Sequence, residues 1–324
     1  MSKIFLYKDS ERVGLLQNCT SIQWLEHYQA PGEVRIIAAP TPENRELLTI
    51  GTRLYNTASD TSAVIVETKA SADGERVITV HADMSVSILA ERVVVGARQI
   101  ANIEQGMYGL VRENLRGLPL ALADPAGFAE STETEIAWEP VLDGLETLAA
   151  VSGLGFKVLF DPQTTAETFK VYKGTDRTKR NADYVGSFST ALGNVDTFAI
   201  LQGVIDYKNV AIVSGDGVVV EVNPRNAMGA DRREMLVTVR EGSEPLLRSR
   251  GLEAMAEQLR TFEVQCEINQ NNMRFGHDYF LGDRLPVALD EFGVAMTARA
   301  ASVRHVYETE GNRTVVTLDE FERS

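Results

Sequence analysis

The sequence predicts a β-rich α+β protein in which two β-domains carry α/β insertions. Short apolar stretches, several of them alternating with polar residues, recur near both ends of the chain and are separated by turn residues. Near residue 97 the spacing of the apolar residues changes to that of a helix. The chain has 324 residues, a length that suggests two or three domains, and no low-complexity segment, long linker or clear repeat divides it.

Residues 1–95 are expected to form the first β-domain. Ser21–Tyr28 alternates apolar and polar residues, which is the period of a half-buried strand. Pro31-Gly32 and Asp73-Gly74 are turn signals, and the second is typical of a hairpin. The predicted strands are Ile4–Tyr7, Val13–Leu16, Ser21–Tyr28, Val34–Ile37, Ala63–Thr68 and Arg76–Ala82. Short strands joined by frequent turns indicate a barrel or a sandwich.

Residues 96–180 are expected to form an α/β insert of two helices and a hairpin. Gly117 is a typical stop for the first helix, and Gly153-Leu154-Gly155 for the second. Gly106 and Gly109 weaken the first prediction, because glycine inside a helix costs about 1 kcal/mol relative to alanine. The apolar residues at helical spacing are Ile100, Ile103, Met107, Leu110, Val111 and Leu115, then Val141, Leu142, Leu145, Leu148 and Ala149. The hairpin strands are Phe156–Phe160 and Thr168–Tyr172.

Residues 181–324 are expected to form the second β-domain, with an embedded helical insert near residues 224–260. Gly215-Asp216-Gly217 is the turn of a predicted hairpin, and a helix over Glu244–Leu259 interrupts the strands. The predicted strands are Tyr207–Ser214, Val218–Asn223, Phe262–Ile268, Arg284–Leu289, Ala295–Glu308 and Thr314–Leu318. This domain is therefore expected to repeat the β-rich character of the first.

The stretch Met273–Val287 is the most informative part of the second β-domain. It combines an aromatic-glycine turn at Phe275-Gly276 with Leu281-Gly282-Asp283 directly before a predicted strand. Glycine adopts backbone angles that are closed to other residues, and an adjacent aspartate favours turns. On its own this pattern predicts a tight entry into the strand Arg284–Leu289.

Composition excludes several classes of protein. A formal net charge of -14 and a pI near 4.9 argue against a protein that binds nucleic acid through phosphate contacts. No uncharged apolar run approaches the roughly 20 residues of a membrane-spanning helix. The N-terminus lacks the charged and apolar regions of a secretory signal, so we expect a protein that is made and folded in a cytoplasm.

The residues that carry chemistry in other proteins form no recognised motif here. The four histidines, His27, His81, His277 and His305, lack paired metal-ligand spacing, so no zinc site is expected. Cys19 and Cys266 form no CxxC pair and are expected to be buried free thiols, although the sequence leaves a Cys19–His pair open. The glycine-rich stretches at 153–155 and 214–217 lack the lysine of a P-loop and are predicted to be a helix cap and a hairpin turn.

Three further polar positions have structural explanations. Ser152 before Gly153 fits a helix end better than a nucleophile elbow, since no GxSxG is present. Glu139 precedes the second predicted helix, where an acid suits the positive helix end. Asp231-Arg232-Arg233 is interpreted as an interface or salt-bridge cluster. We therefore predict no catalytic, cofactor-binding or metal-binding residue, no cofactor and no enzymatic activity.

Six stretches of the chain resemble, in the same order, landmarks of the siphophage tail-hub family, tail-tip proteins also called tail-associated proteins. Each stretch is short, but together they span essentially the whole chain. They are the opening IFLYKDSERVGLLQNCTSIQWLEHYQAPGEVRI, VYKGTDRT at 171–178, YKNVAIVSGDGVVVEV at 207–222, ADRREMLV at 230–237, RGLEAMAE at 250–257 and DYFLGDRLPV at 278–287.

The resemblance implies the hub fold of contractile-tail baseplates, with two antiparallel β-barrel domains and two smaller α/β domains. It implies a homotrimer whose six similar barrels form a quasi-sixfold ring at the tip of the virion tail, assembled in the bacterial host cytoplasm. The implied function is a structural hub that joins the tail tube to the tip and forms part of the DNA-ejection channel. The implied partners are a distal tail protein or tail tube protein, the C-terminus of the tape measure protein, and a tip fibre or receptor-binding protein, with DNA only in transit.

Two other functions stay open at this point, a carbohydrate-binding tail adhesin and a cell-wall hydrolase component. An adhesin needs an exposed aromatic platform, whereas aromatic residues make up only 7% of the chain and are scattered. A hydrolase needs paired carboxylates or a metal site. Members of the resembled family often carry such activities on a C-terminal extension, and we expect any such activity here to lie on another polypeptide. Bacteriocins, gene transfer agents and injection systems use the same hub, so the type of particle stays open.

Overall fold

The computed structural model describes residues 3–71, 76–178, 186–240, 243–256, 258 and 261–323. Contacts between Cα atoms divide the chain into two compact units. Unit 1 comprises Met1–Phe198 and Gln265–Ser324, and unit 2 comprises Ala199–Val264. The division into domains at 1–95, 96–180 and 181–324 stays a prediction.

Strands dominate the described residues. They are β1 (Ile4–Lys8), β2 (Glu11–Leu15), β3 (Cys19–His27), β4 (Glu33–Ala38), β5 (Arg53–Asn56), β6 (Thr61–Ser71), β7 (Val77–Met84), β8 (Ala97–Asn102), β9 (Leu120–Leu122), β10 (Ser131–Ala137), β11 (Gly155–Phe160), β12 (Glu167–Tyr172), β13 (Phe188–Ser189), β14 (Val195–Gly203), β15 (Val210–Gly215), β16 (Val218–Val222), β17 (Glu234–Val239), β18 (Thr261–Ile268), β19 (Arg284–Leu289), β20 (Val294–Glu308) and β21 (Gly311–Arg323). The helices are α1 (Pro42–Leu47), α2 (Ile103–Asn114), α3 (Val141–Ser152) and α4 (Glu244–Ala256), with 3-10 turns at Ser85–Glu91, Gly229–Asp231 and Asp290–Phe292.

The N-terminal strands form one antiparallel path in the order β2-β1-β5-β6-β7-β4-β3. Alternate residues face a common core, as the period of β3 predicts, with Trp24, Val34, Ile36, Leu54 and Ile65 completely or almost completely buried there. The pairing of β6 with β7 confirms the predicted hairpin, whereas its turn residues Asp73-Gly74 lie outside the described residues. Helix α1 and strand β5 were not expected from the sequence.

The middle of unit 1 contains the two predicted helices. Helix α3 ends at Gly153, whose φ of 70° is left-handed, and this confirms the predicted glycine stop. The prediction for the first helix was wrong at its start, because Ile100 lies in strand β8 and α2 begins only at Ile103. The side chain of Asn102 caps α2 by accepting a hydrogen bond from the backbone N–H of Gln105, which fixes that start.

The predicted hairpin of the middle segment connects it to the N-terminal strands. Strands β11 and β12 pair antiparallel, as expected, and Leu159 of β11 pairs with Thr61 of β6. The short strand β9 extends the same sheet by parallel pairing with β12. Strands β8 and β10 form a separate antiparallel pair. These two strands were missed because their residues are mostly polar and exposed.

The C-terminal strands continue the N-terminal sheet. Strand β20 pairs antiparallel with β3, β19 and β21, and β13 pairs parallel with β19. The path through the described strands runs β14-β18-β21-β20-β3-β4-β7-β6-β11-β12-β9. A β-rich fold with large antiparallel sheets is thereby confirmed, whereas no ladder in the described residues closes a barrel, and the two barrels stay a prediction.

Unit 2 contains a three-stranded sheet, β16-β15-β17, packed on α4. The antiparallel pair of β15 and β16 confirms the predicted hairpin, and Asp216 and Gly217 in its turn have positive φ angles of 43° and 78°. Leu247 and Met255 of α4 are buried against this sheet, and the predicted helix end at Leu259 lies outside the described residues. The parallel pairing of β17 with β15 was not expected.

Candidate functional site

Two glycines bring distant segments of unit 1 into direct contact. Gly282 has a φ of +87°, and a Cβ atom built on it would lie 2.2 Å from Cε2 of Tyr28. A Cβ atom built on Gly174 would lie 1.9 Å from the carbonyl oxygen of Gly282. No side chain fits at either position without movement of the backbone or of a buried ring. We call Tyr28, Gly153, Gly174, Gly282 and Asp283 the glycine junction.

The phenol of Tyr28 lies at the centre of the glycine junction. Its oxygen accepts a hydrogen bond of 3.0 Å from the backbone N–H of Gly174 and lies 3.0 Å from the carbonyl oxygen of Gly153, to which it can donate. The guanidinium of Arg299 lies over the Tyr28 ring, 5.2 Å from its centroid, and also donates to the Gly153 carbonyl. Burial raises the pKa of Tyr28, so the phenol stays protonated and keeps its donor.

Asp283 fixes the other side of the glycine junction. Its carboxylate accepts hydrogen bonds from the backbone N–H groups of Thr175, at 2.7 Å, and Phe280, at 2.9 Å, and from Nε of Arg177. The side chain is almost fully buried, so an ion pair with several hydrogen bonds is the arrangement that offsets its lost hydration. Arg284 adds two backbone hydrogen bonds, one with Thr175 and one with Arg177. The glycine junction therefore joins residues 171–178 to residues 278–287, two of the six resembling stretches.

The glycine junction has the chemistry of a structural joint. Its phenol, its carboxylate and the neighbouring guanidiniums are each engaged by backbone groups or by an opposite charge. None of these groups pairs a nucleophile with a base. Gly282 and Asp283, which the sequence indicated as a tight strand entry, act there by packing and by holding loops together.

A cavity of about 430 Å³ opens beside the glycine junction, within unit 1. Its lining includes the buried residues Glu26, Ser85 and Phe156 and the exposed residues Asp60 and Lys173. Glu26 and Lys157, which also lines the cavity, were not predicted as site residues from the sequence. The available signal was the alternation of β3, since Glu26 falls between Trp24 and Tyr28 on the face that is buried.

The histidines do not converge. His305 is buried, its Nδ1 lies 3.2 Å from the hydroxyl of Thr314, and burial lowers its pKa to about 4. His81 lies 3.2 Å from Glu33, and His277 lies 2.7 Å from Asp278. His27 faces the cavity, and burial lowers its pKa. No group of three or more potential metal ligands occurs in the part of the chain that the structure describes.

The two cysteines are free thiols. Cys266 is fully buried, and burial raises its pKa to about 12. Cys19 is partly buried, its thiol contacts the carbonyl oxygen of Gln17, and burial raises its pKa to about 11. Both thiols are therefore kept in the unreactive protonated form. The prediction of free thiols is confirmed, with burial complete only at Cys266.

The remaining candidates occupy structural positions. The hydroxyl of Ser152 donates to the carbonyl of Leu148 at the end of α3. Arg232 forms ion pairs with Glu221 and Glu234, which confirms the predicted salt-bridge cluster. Glu139 precedes α3, and burial raises its pKa. Among the residues described, no helix has the length and apolar character that a membrane crossing requires.

Comparisons with known proteins agree with this geometry. A family model described as siphovirus ReqiPepy6 Gp37-like protein matches residues 3–318. The 43 kDa tail protein of prophage MuSo2 from Shewanella oneidensis is 12% identical, with a TM-score of 0.63 over 98% of both chains. The tail protein of Neisseria meningitidis MC58 is 12% identical, with a TM-score of 0.59 over 99% of this chain and 96% of that one.

A further structural match has a lower sequence identity. A chain of the Francisella PdpA–VgrG complex is 6% identical, with a TM-score of 0.51 over 100% of this chain and 54% of that chain. No curated protein sequence matches. The family match confirms the resemblance to siphophage tail proteins that the six stretches indicated. The chain therefore belongs to the family of siphovirus ReqiPepy6 Gp37-like proteins.

Proposed function

We propose that this protein is the structural hub of a phage or phage-like tail tip, a trimeric ring that joins the tail tube to the tip. The observation that carries the proposal is the family match over residues 3–318 together with the tail-protein fold over 98% of the chain. A fold that is shared with a phage tail protein over 98% of the chain supports a role in tail architecture.

The proposed ring consists of six barrels, two from each subunit. The strand paths support two barrels, because the two ends of each path are consecutive strands of the chain. β2 and β3 are the ends of the N-terminal path, and β13 and β14 are the ends of the path β14-β18-β21-β20-β19-β13. A β-barrel can close only if the two end strands of its path lie near each other. In this proposal the barrel domains occupy residues 1–95 and 181–324, and the α/β insert occupies residues 96–180.

The proposed partners are those of a ring between tube and tip. They are a distal tail protein or tail tube protein, the C-terminus of the tape measure protein, and a tip fibre or receptor-binding protein. A fold shared with a chain of a PdpA–VgrG complex supports assembly with other components. DNA contacts the proposed ring only in transit through its channel, which is consistent with an acidic chain.

The proposal includes the absence of catalytic activity. Purified protein incubated with peptidoglycan, and with generic peptide and ester substrates, is expected to give no turnover. Turnover that persists through repurification and is lost in one point variant would instead favour the cell-wall hydrolase.

Location in the particle tests the hub proposal. Gold-labelled antibodies against the purified protein are expected to decorate intact particles at the distal end of the tail. Particles made without the gene are expected to lack an organised tip, whereas the length of the tail tube in any surviving tails is unchanged. Label along the tube or on the head would contradict the proposal, and label on fibres alone would favour an adhesin.

A further inference from the structure

The cavity beside the glycine junction is lined by two ionisable side chains that lack the close ion-pair partners of their neighbours. Lys173 pairs with Glu130, and Asp283 pairs with Arg177. Glu26 and Lys157 line the same cavity. Neither forms a close ion pair with a described residue, and the two attract each other only at longer range.

Glu26 is held in the lining of the cavity by its strand. It lies in β3, opposite Val303 of β20, and only 7% of the residue is exposed. Its Oε1 atom is buried and has no hydrogen-bond partner within the described part of the chain. Burial raises the pKa of this carboxyl group. The hydroxyl groups of Ser59 and Thr61 and the charge of Lys157 act to lower the pKa, but their effect is smaller than that of burial. A buried acceptor in this position gains from a ligand that donates to it.

Lys157 supplies the opposite charge. It lies in β11, opposite Lys170 of β12, and its ammonium group lies over the Tyr172 ring, 4.9 Å from the centroid. Burial lowers the pKa of Lys157, and the carboxyl group of Glu26 opposes that shift. A cation with an aromatic contact but no hydrogen-bond acceptor gains from an anionic ligand group.

We propose that this cavity binds a small zwitterion, whose cationic group donates to Glu26 and whose anionic group accepts from Lys157. A ligand with both charges satisfies both side chains at once, whereas a singly charged ligand leaves the other side chain desolvated without a partner. The volume of about 430 Å³ lies within the roughly 300–1,000 Å³ that is usual for small-molecule sites. Phe156 and Tyr172 supply the apolar walls for the carbon chain of the ligand.

The experiment titrates the full-length protein with a series of probes by isothermal titration calorimetry. The probes are glycine, β-alanine, 4-aminobutyrate, 5-aminopentanoate and 6-aminohexanoate, which carry the same two charges at increasing separation. Butylamine and butyrate carry one charge each. We expect saturable binding of at least one zwitterion. Each singly charged probe should bind at least about ten-fold more weakly, the factor that one hydrogen bond to a charged group provides.

Variants locate the binding in the cavity. Glu26→Gln and Lys157→Met are each expected to weaken the best probe at least about ten-fold. Lys170→Met is the matched control, because it removes an exposed lysine from the neighbouring strand without touching the cavity lining. It should leave the affinity unchanged within about two-fold. Circular dichroism verifies that each variant is folded.

Three results would contradict the proposal. The proposal is overturned if no zwitterion binds, if butylamine or butyrate binds as tightly as the best zwitterion, or if Lys170→Met weakens binding as much as Lys157→Met. Should either cavity variant fail to fold, the comparison of probes on the unmodified protein still decides. The result does not depend on the hub proposal, since the isolated chain is tested and its position in a particle plays no part.

Discussion

At Gly282 a single hydrogen atom takes the place where any other residue would carry Cβ. The φ of +87° alone favours glycine, and the Tyr28 ring beside it adds a separate requirement. The hydroxyl oxygen of Tyr28 also accepts a hydrogen bond from the backbone N–H of Gly174, so this one tyrosine fixes two loops. The sequence predicted the backbone turn at Gly282, but not the ring, because Tyr28 lies far away along the chain.

Two substitutions at glycines with the same φ separate the effect of the backbone conformation from that of the Tyr28 contact. Gly51 also has a φ of +87°, but a Cβ atom there would meet nothing within 4 Å. Gly51→Ala should cost about 1–2 kcal/mol through the left-handed conformation alone. Gly282→Ala should cost a further 1–3 kcal/mol or more, because the Tyr28 ring must also move. Urea unfolding of both variants checks this, and equal losses would mean that the Tyr28 contact contributes nothing.

His305 gives stability a defined dependence on pH. Burial lowers its pKa in the folded protein to about 4, whereas an unfolded histidine titrates near 6.5. Because the pKa is lower in the folded protein, the contribution of neutral His305 to the free energy of unfolding is fully present above pH 6.5. It is lost as pH falls from 6.5 to 4. The difference corresponds to about 3 kcal/mol at 1.36 kcal/mol per unit.

His305→Gln tests that contribution. As pH is lowered from 7 to 4, the free energy of unfolding should fall by about 3 kcal/mol less in the variant than in the unmodified protein. This difference does not depend on the stability of the variant at pH 7. Urea unfolding at several pH values measures the two slopes. Parallel slopes over this range would show that the side chain titrates in the folded protein much as it does in the unfolded chain.

Among the elements, α2 shows where helical spacing misleads. Ile100 fits the apolar pattern of the helix, yet it lies in β8 and packs against the helix from outside. A Cβ atom on Gly106 would lie 2.6 Å from Cγ2 of Ile100, so the glycine admits the strand close to α2. From the sequence, Gly106 was expected only to destabilise the helix, although the glycine is the reason that strand and helix can approach.

Gly106 and Gly109 form a matched pair within α2. A Cβ atom on Gly109 would meet nothing within 4 Å, so Gly109→Ala should stabilise the protein by up to about 1 kcal/mol through helix propensity. Gly106→Ala has the same propensity gain but displaces Ile100, and a net loss of about 1–2 kcal/mol is expected. Thermal unfolding of the two variants compares them. Equal stabilisation would show that β8 does not pack closely on the helix.

Elements with clear periodicity were predictable, and contacts between distant segments were not. Helix α3 and the hairpins β6-β7, β11-β12 and β15-β16 follow from local patterns and glycine turns. The glycine junction depends on residues that are more than one hundred positions apart in the sequence. Such contacts have no local signature. Glu26 did have a local signature, because the alternation of β3 places it on the inward face of the strand. A polar residue at such a position does not indicate a site unless the cavity around it is known.

For the molecule as a whole, strand β20 makes one continuous sheet from the two ends of the chain. Its pairing with β3 on one side and β21 on the other connects the N-terminal and C-terminal strands directly. This architecture matches the tail proteins of the compared structures along nearly their whole length. The next level of organisation is the proposed ring.

Charge supplies a prediction at that level. Three chains of formal charge -14 carry -42 together, and part of it is expected to line the channel of the proposed ring. Acidic walls repel DNA phosphates, whereas basic walls retain DNA through counterion release. Salt screens this repulsion beyond about 10 Å, so only carboxylates at the channel surface contribute. A reconstructed ring should show a negative inner wall. A neutral or basic inner wall, with the acidic residues outside, would show that the charge serves solubility.

The copy number at the tail tip tests the hub proposal most directly. Single-particle imaging of assembled particles, reconstructed at the distal end of the tail without imposed symmetry, counts the copies of this chain and places them relative to the tube. We predict one closed ring of three copies, with two barrels from each copy facing the sixfold tube. Any number of copies that is not a multiple of three, or a location away from the tip, would contradict the account.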